Sequence, residues 1–132
     1  MNVRLASRRS NDQLSHESRV GSDVRGSHFL DATALQWQPS DTPGFDLVTL
    51  FENPSNGEST ALMRVEPGAS TGSHSHDLFE EIYVLDGDFS DEERTYLRGQ
   101  YCVRSPGTLH TAASEHGCVL LLIYRSTAAP SP

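Results

Sequence analysis

Two histidines separated by a single residue, His74 and His76, are the first chemically suggestive feature of this chain. On an extended strand, alternate side chains face the same way, so both imidazoles can reach one point. Glu80 follows four residues after His76 and joins them if the chain makes a short turn between 76 and 80. A distant piece, SPGTLH at 105–110, supplies His110. Three imidazoles and one carboxylate suit a divalent first-row metal. The helical zinc-peptidase spacing HExxH is absent. Cys102 and Cys118 form no CxxC pair and so offer no thiolate site. His-x-His alone is a weak signal, because histidine is often a surface residue around a turn. It gains weight from the acids that follow it, the later glycine turn and the Pro-Gly-x-x-His segment.

The remaining chemical groups have blander readings. Glu81 points away from Glu80 on a regular strand, so it reads as a salt partner and not as half of an acid–base pair. His116 reads as a solvated loop residue, and His16 and His28 have no partner pattern. Tyr83, Tyr96, Tyr101 and Tyr124 read as packing residues. Cys102 and Cys118 read as small buried hydrophobes. Five acids between residues 86 and 93 read as a solvated edge.

These side chains need elements to position them. Residues 1–26 are polar and without period, and are expected to form a flexible arm. Residues 29–37 read as a short strand or turn ending at Trp37. FDLVTLFEN (45–53) and STALMRVEPG (59–68) read as strands. The next strand carries His74 and His76, and a return strand runs from Glu80 to Leu85. Asp86-Gly87 reads as a tight turn, followed by an exposed hairpin over 88–99. Pro106-Gly107 turns the chain so that His110 can come back. CVLLLIYR (118–125) is apolar on both faces, which marks a strand covered by a second layer or by another subunit. The tail, 128–132, should fray. Eight or more short strands without a substantial helix predict an antiparallel double-sheet jelly-roll barrel.

Composition sets outer limits. A chain of 132 residues with 36% hydrophobic content supports one domain, placed at 27–127. No apolar run approaches membrane-spanning length, which argues against a membrane partner. The net charge is −8, and beyond residue 26 five arginines face fifteen acids with no lysine. Such a body repels phosphate backbones, so no nucleic-acid partner is expected. Two cysteines make no disulfide framework, and reduced thiols favour a cytoplasmic location.

With these residues in hand, the sequence resembles a cupin. Gly68, His74, His76, Glu80 and Gly87 match the first cupin motif at each spacing. Gly107 and His110 match the second, with Ser105 in place of its proline and Ser114 where asparagine is usual. The wording PGASTGSHSH, FEEIYVLDGDFSDE, YLRGQY, SPGTLH and SEHGC is similar to the cupin domain of ChrR-type anti-sigma factors, over about residues 35–125. The resemblance implies His74, His76, Glu80 and His110 as ligands of one divalent ion per chain: iron, zinc, manganese or nickel. It extends to small iron dioxygenases that cleave β-diketones or hydroxyacetophenones.

The leading reading is therefore a metal-dependent dioxygenase for a small diketone or hydroxyketone that chelates the metal. A zinc-holding or small-ligand sensor domain is the alternative, and a structural subunit of an assembly the third. A homodimer is expected from the doubly apolar strand. The anti-sigma members carry an N-terminal zinc-binding segment with paired cysteines. The first 26 residues here hold no cysteine, so a sigma-factor partner is not expected.

Overall fold

The structure, a computed structural model, describes residues 25–127. Expectations for the arm at 1–24 and the tail at 128–132 lie outside the described residues. Seven strands follow a short 3-10 turn at Ala32–Ala34: β1 (Gln38–Pro39), β2 (Phe45–Asn53), β3 (Glu58–Val65), β4 (Phe79–Ser90), β5 (Thr95–Leu97), β6 (Tyr101–Arg104) and β7 (Cys118–Arg125). Every strand pairing is antiparallel. Among the described residues there is no α-helix. The jelly-roll expectation holds, with seven strands among the described residues where eight or more were foreseen.

The wider layer runs β1–β2–β3–β7–β4, with β6 on the far side of β4. Antiparallel partners directly opposite each other put their side chains on one face, so the register reads as rows across the sheet. Ile82 lies opposite Cys102 and Leu122, and Leu122 opposite Ala61. Val84, Leu120, Met63 and Leu47 make the next row, and Cys118, Val65 and Phe45 the third. These rows are the core: of these side chains only Cys102 is not fully buried. Alternate positions face outward. There Leu121 and Ile123 are half-buried, while Tyr83, Tyr101 and Val103 are exposed. The doubly apolar β7 thus owes one face to the core and one to an outer surface that this chain covers in part.

The second layer is less regular. β5 pairs with the end of β4, matching Phe89 to Tyr96. Two loop segments continue it through isolated bridges: Ser90 with Ala113, Ser70 with Ala113, and His74 with His110. The expected strand around His74 and His76 is therefore an extended segment held by bridges, because Gly72 and the polar residues around it give it no apolar face to bury.

The structure decides two other expectations, the second of them against the reading of the sequence. Of the strand or turn foreseen over residues 29–37, the structure has the turn, capped by the Asp31 side chain on the Thr33 amide. Asp86-Gly87 is not a hairpin turn: β4 continues through it as one strand of 12 residues. The register slips between Val84 and Asp86, and Gly87 takes a φ of 79°. The glycine serves a bulge that bends β4 from the wide layer into the second one. A Cβ on Gly87 would lie 2.0 Å from the Gly117 carbonyl oxygen, whereas Gly68, also at positive φ, has open space around it. Gly68→Ala should cost about 1–2 kcal/mol from backbone strain alone. Gly87→Ala should cost at least about 2 kcal/mol more, since backbone must move. Denaturant midpoints of the two variants check the difference.

Candidate metal centre

His74 and His110 face each other through a reciprocal backbone pair, with both N–H···O distances at 2.9 Å. That pairing turns both imidazoles to one side. His76 lies two residues on, and the Gly107 amide donates to its carbonyl at 2.8 Å, so its ring joins them. The ring centroids are 4.3 Å apart for His74 and His110, 5.1 Å for His74 and His76, and 5.3 Å for His76 and His110. One ring nitrogen from each lies within 4.8 Å of the others, a group able to hold a metal ion.

The tautomers suit this purpose. Nδ1 of His74 is 2.8 Å from the Gly72 carbonyl and Nδ1 of His110 is 3.0 Å from the Thr108 carbonyl. Carbonyls only accept, so both Nδ1 atoms carry the proton and both Nε2 lone pairs are free. Burial holds His74 and His110 below the ordinary imidazole range, against the opposing pull of those carbonyls. Neutral rings with free Nε2 atoms are what a metal ion requires.

Glu80 comes from β4 and lies opposite Arg104 on β6 and Tyr124 on β7, so all three side chains share the inner face. It is buried, yet every oxygen has partners. Oε2 accepts from the Tyr124 hydroxyl at 2.8 Å and is 2.9 Å from His76 Nε2. Oε1 is 3.3 Å from Arg104 Nε and 3.4 Å from His110 Nε2. Burial pushes the carboxyl up, but hydrogen bonds from His76 and Tyr124 and the nearby imidazole charges outweigh it and bring it to about 2. Tyr124 is driven well above its usual value by burial and then by the Glu80 charge, so it stays a donor. Glu80 is not one of the compact three-nitrogen group; it stands beside it.

Beside His74, His110 and Glu80 lies a recess open to solvent, whose enclosed part has room for about one water molecule. Its apolar lining is Met63, Ile82, Phe89, Ala112 and Leu122; His74, His110, Glu80 and Tyr124 supply the polar groups. No lysine or arginine lines it.

All four foreseen side chains thus meet, and two further ones were missed. Tyr124 was taken for packing, yet its hydroxyl serves Glu80. Arg104 was passed over altogether. A signal for it existed: if Tyr101 and Val103 share the outer face, Cys102 and Arg104 face inward, and a buried arginine demands an acid. The solvated-edge reading of the acids also fails for two of five, Asp88 and Asp91. The Asp91 side chain is fully buried and takes Arg104 Nη1 at 2.9 Å, the Tyr96 hydroxyl at 3.0 Å and the amides of Glu93 and Arg94. Asp88 accepts the amides of Glu115 and His116, and Glu92 the amide and hydroxyl of Thr111. These acids close loops; they do not merely meet solvent. Glu81 does pair outward, with Tyr101 and with Arg125 at 2.8 Å. His116 is a largely exposed loop residue 3.1 Å from Asp88, and His28 lies in exposed coil; His16 is outside the described residues. Ser114 is buried and its hydroxyl donates to the Asp88 carbonyl at 2.6 Å, away from the imidazoles. Burial pushes the Cys118 thiol up to about 11, which leaves it inert.

A double-layered β-fold with an imidazole cluster able to hold a metal ion defines a jelly roll of the cupin kind. The chain belongs to the family described as the ChrR cupin-like domain, which it matches over residues 25–128. No curated protein matches it. Among solved structures, anti-sigma ChrR of Rhodobacter sphaeroides in complex with SigE is similar at 23% identity, with a TM-score of 0.59, over 70% of this chain and 50% of that one. A putative acetylacetone dioxygenase of Methylibium petroleiphilum PM1 is 17% identical, with a TM-score of 0.69, over 76% of this chain and 78% of that one. An acetylacetone dioxygenase of Acinetobacter johnsonii is 18% identical, with a TM-score of 0.66, over 76% and 75%. These likenesses concern the fold. This chain spans about half the length of the ChrR chain. That ChrR was solved in complex with a sigma factor, which stands in weak conflict with the expectation against such a partner. Among the described residues no helix is long and apolar enough to cross a membrane.

Acid should test the site's charge state in the metal-free protein. His74 and His110 are lowered on folding, so their stabilisation is complete above the unfolded value of about 6.5 and is lost as pH falls through it. Glu80 drops from 4.5 to about 2, so its contribution, of about 3 kcal/mol, is lost between those values. Thermal unfolding from pH 8 to pH 2 should therefore show two declines. Glu80→Gln should shrink the lower one, the remainder coming from Asp88 and Asp91, which burial pushes up but hydrogen bonds lower by more.

Proposed function

We propose that this chain is a metal-dependent oxygenase in which His74, His76 and His110 hold one divalent iron ion and Glu80 balances its charge. The observation that carries the reading is the convergence of three imidazole nitrogens within 4.8 Å beneath an apolar recess. Bound there, iron(II) would acidify a chelating enol and supply electrons to dioxygen. The chain's own residues do the rest. Met63, Ile82, Phe89 and Leu122 give the recess beside the metal position an apolar side. Three neutral imidazoles and one carboxylate leave a dication near +1, which matches a mono-anionic enolate. With no lysine or arginine in the lining, a small neutral diketone or hydroxyketone fits better than a dicarboxylate.

The second reading is a zinc or small-effector sensor domain, manganese or nickel being further possible occupants. Membership of the ChrR cupin-like family supports it, since the similar ChrR was solved with a sigma factor. The free thiols of Cys102 and Cys118 fit a cytoplasmic setting under either reading. Metal analysis of the purified protein, followed by oxygen uptake with a panel of β-diketones and hydroxyketones, separates the two. The oxygenase reading expects iron-dependent uptake, and loss of both metal and uptake in His76→Ala. A zinc-filled protein that stays silent after anaerobic iron reconstitution would overturn it.

We also place a homodimer contact on the outer face of the wide layer. Tyr83, Tyr101 and Val103 are about half exposed there, beside half-buried Leu121 and Ile123. Light scattering should give twice the mass of one chain, and Tyr83→Glu with Tyr101→Glu should halve it. A monomeric wild type would exclude the contact.

A further inference from the structure

Among the described residues Arg104 is the guanidinium on the inner face that reaches Glu80 beside the imidazole cluster, and its geometry is lopsided. Nη1 is anchored on Asp91 at 2.9 Å, and Asp91 is itself held by the Tyr96 hydroxyl and by the amides of Glu93 and Arg94. Nε reaches Glu80 Oε1 at a long 3.3 Å. Nη2 is buried and has no hydrogen-bond partner among the described residues. Nε and Nη2 form the side-on fork of a guanidinium, the edge that takes a carboxylate with two parallel bonds. Glu80 therefore faces a fork of which it occupies only half. On its other side it faces His76 and His110.

We propose that Arg104 is a positioning residue that competes with the metal ion for Glu80, making the carboxylate a detachable fourth ligand of a three-histidine site. Three features support it. The compact donor group consists of His74, His76 and His110 without Glu80. Both Glu80 oxygens already accept from Arg104 or Tyr124, which pull it toward β6 and β7. Asp91 clamps the guanidinium in place, so the fork cannot follow the carboxylate toward the imidazoles. A ligand that can step back onto a prepared fork opens a position at the metal without exposing a bare buried charge. Hydrogen-bond partners of metal ligands usually strengthen the site, so their loss weakens it about 10- to 100-fold. Here the opposite sign is expected, because Arg104 is a rival cation.

The inference rests on the metal-site reading above, and the test keeps the two apart. Co²⁺ affinity and the Co²⁺ absorption spectrum are measured on the full chain, on Glu80→Gln, on Arg104→Gln and on the double variant, with circular dichroism as the folding check. Arg104→Gln should bind Co²⁺ about tenfold more tightly. Glu80→Gln should cost little affinity in the native background and about tenfold in the Arg104→Gln background. An equal cost in both backgrounds, or weaker binding by Arg104→Gln, overturns the proposal while the metal site stands. Should Arg104→Gln fail to fold, the native chain and Glu80→Gln decide alone: near-identical Co²⁺ spectra and affinities support a carboxylate standing off the metal, and a clear difference overturns it. A native chain that takes up no Co²⁺, like His76→Ala, overturns both readings.

Discussion

The backbone pair between His74 and His110 is the contact on which the site depends. Each residue donates to and accepts from the other at 2.9 Å, joining parts of the chain more than thirty residues apart. Without that register, His110 would have no reason to face His74. Neighbouring bonds from Thr71 to Ala112 and from Gly107 to His76 extend the same pairing. The imidazoles are thus aimed by main-chain geometry, and their Nδ1 protons are pinned by carbonyls of Gly72 and Thr108. Little side-chain freedom remains to be lost when a metal ion binds.

Glu80 brings the opposite problem, a buried charge. Removing a carboxylate from water is costly unless both oxygens find donors. The sheet supplies them by register: Arg104 and Tyr124 lie directly across from Glu80 on its two neighbouring strands. Arg104 then needs its own acid, which Asp91 provides from the β4–β5 loop. The chain of partners runs from the imidazoles through Glu80 and Arg104 to Asp91 and Tyr96. A loop that reads as mere surface is tied in this way to the centre of the fold.

The bend in β4 makes this arrangement possible. One strand serves both layers because Gly87 permits a bulge against Gly117. Its first half carries Glu80 and the core row of Ile82 and Val84. Its second half places Phe89 in the recess and Ser90 against Ala113. The recess therefore sits where the layers diverge, floored by the histidine segments and walled by side chains from both.

Much of this was legible in the linear chain. Spacing pointed to His74, His76, Glu80 and His110, because period-two alternation and turn residues are local properties of the backbone, and the resemblance to cupins implied them as a set. The strands at 45–53 and 118–125 were legible for the same reason, each having enough β-branched and apolar residues to announce itself. The Asp86-Gly87 turn was misread because a glycine at positive φ serves a hairpin and a bulge equally well; only the partner strand tells them apart. Arg104, Tyr124 and Asp91 stayed hidden because their roles follow from which strands lie side by side. The sequence by itself determined the residue types, the alternation and the turns, all set by neighbours along the chain. The tertiary structure alone decided which inward polar groups oppose one another across β6, β4 and β7, since burial makes each charge depend on partners that sequence distance does not reveal.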